Sequence, residues 1–304
     1  MNEALPKVSI VLPTYNGSKY IRQSIDSCLN QTYKNIELII VDDSSTDDTP
    51  EIIKTYKDER IRYIRHDKNK GLSHALNTGF AKATGKYLAW TSDDNYYVKE
   101  AIEKMLFFLR DKNFPFVYCD FYRFKDSQPS CLRVEKRPES PEIEKVNVVG
   151  ACFLYSKKIK EVIGNFDPDT ALAEDYDYWI RVSKKFSMYH LAEPLYYYRE
   201  HTKSLSLSKY YEVRVVDILV RVKNEVLDIE DATDLLVSLT AGRYPGHFKI
   251  NKVIAKVLFS RKFRRILKDF SMRRLNFKKA KSVLRGIVGG WLESLKKIII
   301  GKNI

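Results

Sequence analysis

From Lys7 onward the chain alternates short, nearly uninterrupted apolar runs with longer segments whose apolar residues recur at helical spacing. Lys7–Leu12 (KVSIVL) and Ile36–Val41 (IELIIV) have the continuous hydrophobicity of strands buried on both faces. Ile61–Arg65 and Lys86–Thr91 read as two further strands. Between them lie three helical patterns. The first carries Ile21, Ile25, Cys28 and Leu29 on one face, and the second carries Ile52, Ile53 and Tyr56 behind the N-cap candidates Asp47, Asp48 and Thr49. The third, Gly71–Ala83, aligns Leu72, Ala75, Leu76 and Phe80. Strand and helix alternate in this way from residue 7 to about 112, which predicts right-handed crossovers and a mostly parallel sheet flanked by helices, a Rossmann-like α/β class.

The rhythm changes after Phe114–Asp120, itself a strand pattern. Asp126–Glu144 is polar, contains three prolines and predicts a mobile loop or lid. Val146–Tyr155 predicts one more buried strand. Gly164–Pro168 turns the chain into Ala173-Glu174-Asp175, after which YDYWIRVSKKF has helical spacing with Tyr176, Trp179, Ile180 and Val182 inward. Short strands are expected at Ser187–Leu191 and Leu195–Tyr198. From Lys209 the pattern is helical only, through Val213–Leu227 and Asp231–Thr240 to a last apolar stripe of Leu284, Ile287, Val288, Trp291, Leu292, Leu295, Ile298 and Ile299. The expected division is a domain over 1–208 and a helical, basic extension over 209–304.

Charge sharpens that division. Of 53 basic and 39 acidic residues, 17 and 2 fall in 245–304, which leaves 36 and 37 for 1–244. The body is neutral and the extension holds the whole excess, as suits an anionic partner such as lipid headgroups or nucleic acid. At 44% hydrophobic and 30% charged the composition is globular. Cys28, Cys119, Cys131 and Cys152 are too few for a disulfide framework and lack metal-site spacing, in keeping with a reducing compartment. The N-terminus has no charged region ahead of a long apolar run, and no run reaches the roughly 18–20 residues of a membrane span. A cytoplasmic location is the expectation.

The candidate chemistry sits at strand ends. In Lys86–Tyr97 (KYLAWTSDDNYY) a strand runs directly into Asp93 and Asp94, and in 36–45 another runs into Asp42 and Asp43. An Asx-rich turn would use the same residue types for local hydrogen bonds. Two acidic pairs at the carboxyl ends of strands in one α/β unit are harder to explain by turns, because such sheets bind ligands at that edge. Successive strand residues face opposite ways, so one aspartate can accept from a hydroxyl while its neighbour holds a hard divalent cation. The first strand ends in Pro13-Thr14-Tyr15-Asn16-Gly17, which lacks a Gly-x-Gly-x-x-Gly, so a dinucleotide-binding reading has little support.

These stretches resemble glycosyltransferase family 2, the inverting nucleotide-sugar transferases of the GT-A fold. The resemblance rests on VSIVLPTYNG (8–17), IELIIVDDSSTDDT (36–49), GLSHALNTGFAKATGKYLAWTSDDN (71–95), AEDYDYWIR (173–181) and YREHTKSLS (198–206). It covers roughly residues 5–210 and does not reach the basic extension. It implies that Asp43 hydrogen-bonds the nucleotide base, that Pro13 and Tyr15 line the same pocket, and that Lys70 adds a positive contact. Asp93 falls on the ribose-binding position and Asp94 on the metal-binding one, for Mn²⁺ or Mg²⁺ against the diphosphate. Asp175 matches the general base, with Glu174 orienting it or the acceptor, although as a helix N-cap Asp175 would need no chemistry. His201 matches a histidine that reaches the metal or diphosphate. Trp90 and Trp179 read as core or acceptor-pocket walls. The chain departs from the family at Asp43-Ser44-Ser45, where Asp-Gly-Ser is frequent, and it lacks a Gln-x-x-Arg-Trp motif, which favours single addition over processive synthesis.

The implied partners are a nucleotide-sugar donor, UDP-linked by the weight of the family, and a glycan or lipid-linked acceptor. The extension over 245–304 would add an anionic membrane surface on its cytoplasmic face. A nucleic-acid-binding protein working through the basic extension would leave the acidic motifs idle and shows no nucleic-acid motif. A sugar nucleotidyltransferase would share sheet and metal but needs a glycine-rich loop after the first strand, which Pro13–Gly17 does not provide.

Overall fold

The computed structural model describes residues 5–202 and 204–228, and beyond them 231, 232, 235 and 239. The chain divides into two compact units, Met1–Leu207 and Ser208–Ile304. The predicted helix Asp231–Thr240, the apolar stripe from Leu284 to Ile299 and the basic stretch 245–304 lie wholly or mostly outside the described residues.

The first unit opens with β1 (Val8–Thr14), α1 (Ile21–Leu29), β2 (Ile36–Asp42), α2 (Thr49–Lys54), β3 (Ile61–Arg65), α3 (Leu72–Lys82) and β4 (Tyr87–Trp90). A two-residue strand β5 (Tyr96–Tyr97) and α4 (Ala101–Lys112) follow. The second half adds β6 (Phe116–Lys125), β7 (Gln128–Glu135), β8 (Phe153–Ser156), α5 (Lys157–Ile163), α6 (Glu174–Ser183), β9 (Tyr189–Glu200) and α7 (Leu205–Ser208). The second unit contributes α8 (Tyr210–Lys223).

All nine strands form one sheet in the order β3-β2-β1-β4-β8-β6-β9-β5, with β7 hydrogen-bonded to β6. The β3-β2-β1-β4 block is parallel, as the alternation predicts. Its central strands are apolar because helices cover both faces: every residue of β1 is buried, and Val8, Ile10, Leu12, Leu38 and Ile40 have no exposed surface. Each such side chain taken from water contributes about 1.5–3 kcal/mol. β8 then enters antiparallel to β4, with Leu88 opposite Tyr155. An aromatic cluster seats α6 behind this half. Trp179 packs edge-on against Phe116, Phe153 and Tyr155 at 5.1, 4.7 and 6.0 Å between ring centroids.

Four expectations need correction. Residues 126–144 are not all loop, because Asp126-Ser127 close a hairpin and Gln128–Glu135 pair with β6. Leu132 and Val134 stay exposed there, so β7 has no buried alternation to announce it. The strand expected over Val146–Tyr155 starts only at Phe153. Gly150 sits at φ +69, where an added Cβ would meet the Phe121 ring at 2.9 Å, and this left-handed kink ends any extended run. The two short strands expected between 187 and 198 are one, β9, with register breaks opposite Asp120. Finally, Ala173 is the N-cap of α6, so Asp175 lies inside the first turn and does not cap it.

Candidate active site

β1, β2 and β4 end side by side, with Thr14 opposite Asp42 and Val11 opposite Trp90, so their exit loops share one edge of the sheet. β8 runs back from that edge, which places the 146–152 loop beyond the carboxyl end of β4 as well.

Asp93 is anchored under β1. The Thr14 hydroxyl donates to its Oδ2 at 2.5 Å, and the Tyr15 amide supports the same carboxylate. Burial, and then the charge of Asp94, push the Asp93 carboxyl up to about 7 against those two donors. Gly17 leaves the room this needs, since a Cβ there would fall 2.2 Å from Asp93 Oδ2. Pro13 is buried in β1 opposite Val41, whereas Tyr15 is 49% exposed at the mouth of the loop.

Asp94 meets a residue from far along the chain. His201 Nε2 donates to its Oδ2 at 2.9 Å, and the His201 ring packs against Tyr20 at 5.1 Å. The other oxygen, Asp94 Oδ1, is buried and has no partner among the described residues. No group of three or more His, Cys, Asp and Glu side chains converges among the described residues. The carboxylate nonetheless fits a hard cation, and the imidazole beside it, a softer ligand, is better matched to Mn²⁺ than to Mg²⁺. Mg²⁺-type ions are usually held by one or two carboxylates plus substrate phosphates, and octahedral ligands at about 2.1 Å sit about 3 Å from their neighbours. The unsatisfied Oδ1 suits that arrangement, and His201 Nε2 would join it once its proton has moved to Nδ1.

The other acidic pair holds the neighbouring wall. Asp42 is fully buried, accepts from the Ser45 amide (2.8 Å) and the Tyr63 hydroxyl (2.9 Å), and pairs with Arg65 at 3.3 Å. Asp43 accepts from His66 Nδ1 at 2.6 Å and from the amides of Lys70 and Gly71 at 2.9 and 2.7 Å. The Lys70 amide also reaches the second oxygen at 3.1 Å, so three donors make four contacts with this carboxylate. Lys70 is thus tied to the site through its backbone, while its ammonium pairs with Asp67 at 2.7 Å in the open. Ser44, where the family often has glycine, keeps the left-handed conformation at φ +69.

At the start of α6, Asp175 Oδ1 accepts from the Tyr176 amide and Oδ2 from Asn147 Nδ2, both at 2.8 Å. Burial raises its proton affinity above the ordinary carboxylate range, and the Asn147 bond pulls the other way. Glu174 is buried and turns back to accept from the Leu172 amide at 2.8 Å, which holds the turn at Leu172 (φ +85) ahead of α6. Asn147 is itself clamped: Arg137 donates to the carbonyls of Asn147 (2.7 Å) and Val148 (2.6 Å). Asn147 and Arg137 carried no sequence signal, being a lone amide in an expected strand and an arginine in an expected loop. Arg199, which donates to the Asp94 carbonyl at 2.9 Å, stands inside YREH but two positions from the histidine that drew attention.

A parallel sheet offering paired carboxylates at its carboxyl edge, extended through an antiparallel β8 to β6 and β9, which run with the first block and return a histidine to the same edge, is the architecture of the GT-A glycosyltransferases. The profile of glycosyl transferase family 2 matches residues 9–173, more than half of the chain, and the chain belongs to that family. An uncharacterized glycosyltransferase of Rickettsia prowazekii is 36% identical over 208 residues, covering 64% of each chain. The chain thus spans just under two thirds of that relative. A UDP-Glc:α-D-GlcNAc-diphosphoundecaprenol β-1,3-glucosyltransferase of Escherichia coli is 34% identical over 210 residues, covering 68% of this chain and 82% of its own. Among solved structures, S. aureus TarS 1–349 in complex with UDP-GlcNAc superposes with a TM-score of 0.58 at 18% identity, over 93% of this chain and 81% of its own. A mannosyltransferase from Pyrobaculum calidifontis in complex with GDP-Man and Mn²⁺ gives 0.56 at 18%, over 95% and 81%. At that identity the superpositions establish the fold.

Proposed function

We propose that this chain transfers one sugar from a UDP-sugar to an acceptor hydroxyl, with inversion, in the assembly of a cell-surface polysaccharide or glycolipid. The observation that carries the reading is the contact between Asp94 and His201, two residues 107 positions apart brought to 2.9 Å beside an unsatisfied buried oxygen. In this reading Asp43 accepts from a base N–H, and Pro13 and Tyr15 line the pocket. Asp93 accepts from a ribose hydroxyl, and Lys70 exchanges Asp67 for a phosphate oxygen. Asp94 and His201 hold Mn²⁺ or Mg²⁺, which when bound neutralises charge developing on the leaving diphosphate. Asp175 takes the proton of the acceptor hydroxyl as it attacks opposite the leaving group. Its raised proton affinity makes it the stronger base, the Asn147 amide fixes its direction, and Glu174 holds the turn from which it projects.

The Escherichia coli relative, named for a UDP-Glc donor and a diphosphoundecaprenol-linked acceptor, supports both a UDP-sugar and a lipid-diphosphate-linked acceptor. The 17 basic residues of 245–304 suit an anionic membrane, where each contributes about 1 kcal/mol near the surface. No described helix is long and apolar enough to cross a membrane; it is the basic charge of 245–304 that supports a peripheral place on the cytoplasmic face in this reading.

The test is a thermal-shift panel of UDP, GDP, dTDP and CDP with and without Mn²⁺ on wild type and Asp94→Ala, because a ligand that binds only the native state raises its stability by mass action. UDP should stabilise wild type with Mn²⁺ and lose that effect in the variant. No shift with any nucleotide would sink the transferase reading. Release of pyrophosphate in place of nucleoside diphosphate during turnover would point to a nucleotidyltransferase.

A further inference from the structure

Two residues before His201, the chain buries an arginine whose three nitrogens all end on the supports of the Asp94–His201 pair. Arg199 Nε donates to the Asp94 carbonyl at 2.9 Å, Nη1 to Asp126 Oδ1 at 2.9 Å and Nη2 to Gln23 Oε1 at 2.5 Å. Its own amide donates to Asn95 Oδ1 at 2.7 Å. The guanidinium lies 4.4 Å from the centre of the Tyr20 ring and 4.8 Å from that of Phe124, and Tyr20 is also the ring packed against His201. Behind them, Asp126 Oδ2 accepts from the Tyr20 hydroxyl and from Lys19 Nζ, each at 2.8 Å.

A guanidinium is kept out of water only where carboxylates, carbonyls and aromatic faces replace its hydration, because an uncompensated buried charge is strongly destabilising. Here the replacement groups are the backbone of one cation-ligand candidate, the aromatic wall of the other, and the tip of the β6–β7 hairpin. Arg199 is only 7% exposed. It therefore acts through its neighbours and does not present a charge to a substrate. A planar fork fixes three directions at once, which the single ammonium of lysine on a flexible stem does not.

We propose that Arg199, backed by Asp126, is a positioning residue that sets the spacing of Asp94 and His201 and thereby the affinity of the site for a divalent cation. The inference rests on the metal-dependent reading of the site given above. It adds that cation affinity is set from outside the ligands, by groups at the end of β9 and the tip of the β6–β7 hairpin.

The experiment measures Mn²⁺ binding to the full chain at saturating UDP, from the loss of the free-ion electron paramagnetic resonance signal, with UDP alone as reference. It is run well below the melting temperature of each protein. Arg199→Lys and Asp126→Asn should each weaken Mn²⁺ binding roughly 10–100-fold, the usual effect of removing an outer-shell partner. Lys19→Ala should leave it unchanged, since that side chain is 70% exposed on the far side of Asp126. Melting curves without ligand read any purely structural role, which would lower the melting temperature and leave Mn²⁺ affinity alone. Wild-type affinity in both Arg199→Lys and Asp126→Asn overturns the proposal while the metal site stands. A wild type that binds no more Mn²⁺ than UDP itself overturns the metal site and this proposal together. Should Arg199→Lys fail to fold, Asp126→Asn decides the matter, being isosteric at a side chain that is 27% exposed.

Discussion

Adding one methyl group at Gly17 should cost nucleotide affinity as well as stability. An alanine Cβ at this position would lie 2.2 Å from Asp93 Oδ2 and 2.7 Å from Thr14 Oγ1. Cβ contacts under 3.0 Å are essentially never found, so the methyl and the carboxylate must part by at least about 0.8 Å. Asp93 has no slack on its other side, because Thr14 already holds the same oxygen at 2.5 Å. Overpacking of this kind destabilises by about 1–3 kcal/mol, which for a domain of this size lowers the melting temperature by roughly 2–4 °C per kcal/mol. In the proposed reading the displacement falls on the ribose-binding carboxylate, and a misplacement near 1 Å can cost about 10²-fold. UDP affinity in the presence of Mn²⁺ should therefore fall about 10–100-fold, or roughly 1.4–2.8 kcal/mol. Calorimetric titration measures the affinity and urea unfolding the stability. Gly164→Ala is the control: at φ +86 with nothing within 4 Å of the added Cβ, it strains the backbone without touching the site. It should lose stability and keep its UDP affinity. A Gly17→Ala protein that binds UDP as wild type does would refute the claim that the loop is shaped around Asp93.

Two further outcomes follow from single contacts. If Asp175 is the base, kcat rises with pH as its carboxyl ionises, and burial places that rise above the ordinary carboxylate range. Asn147 favours the charged form, so Asn147→Ala should move the rise to still higher pH, whereas Asp175→Asn should abolish it and lower kcat by about 10²–10⁴; an unmoved profile in Asn147→Ala removes Asn147 from the mechanism. Ser44→Gly relieves a non-glycine residue at φ +69 and should stabilise the protein by up to about 1 kcal/mol in urea unfolding, and a loss of stability would contradict the strain.

The parallel half of the fold was legible because each of its strands is buried on both faces and each helix shows one apolar stripe. Val8–Thr14 and Ile36–Asp42 carry that pattern without interruption. The antiparallel half was less so. β7 pairs on one side and leaves Leu132 and Val134 exposed, so neither hydrophobic alternation nor composition marks it. The site divides along the same line. Asp93 and Asp94 announce themselves by adjacency at a strand end, and the turn after Asp43 could be flagged because one glycine was missing. Asn147 and Arg199 work through tertiary contacts to Asp175 and Asp94, 28 and 105 positions away, and no local pattern encodes such partners.

The β6–β7 hairpin touches the supports of both halves of the proposed site. At its tip Asp126 holds Arg199, Tyr20 and Lys19, and the Asp126 amide donates to the Glu200 carbonyl at 2.9 Å, just ahead of His201. Beyond its other end, Arg137 fastens the loop that presents Asn147 to Asp175, and its own amide donates at 2.7 Å to Asp120, which lies in β6 and also binds His190. The Asp94–His201 pair, proposed to hold the cation, and Asp175, proposed as the base, come from segments far apart in sequence, yet each leans on the same pair of strands. Precise placement of reacting groups needs support from rigid elements more than from the loops that carry them. A two-stranded ribbon bonded into a nine-stranded sheet supplies that support. Substitutions at the hairpin tip should therefore act on the donor side and substitutions near Arg137 on the acceptor side, although neither end is drawn as part of either pocket.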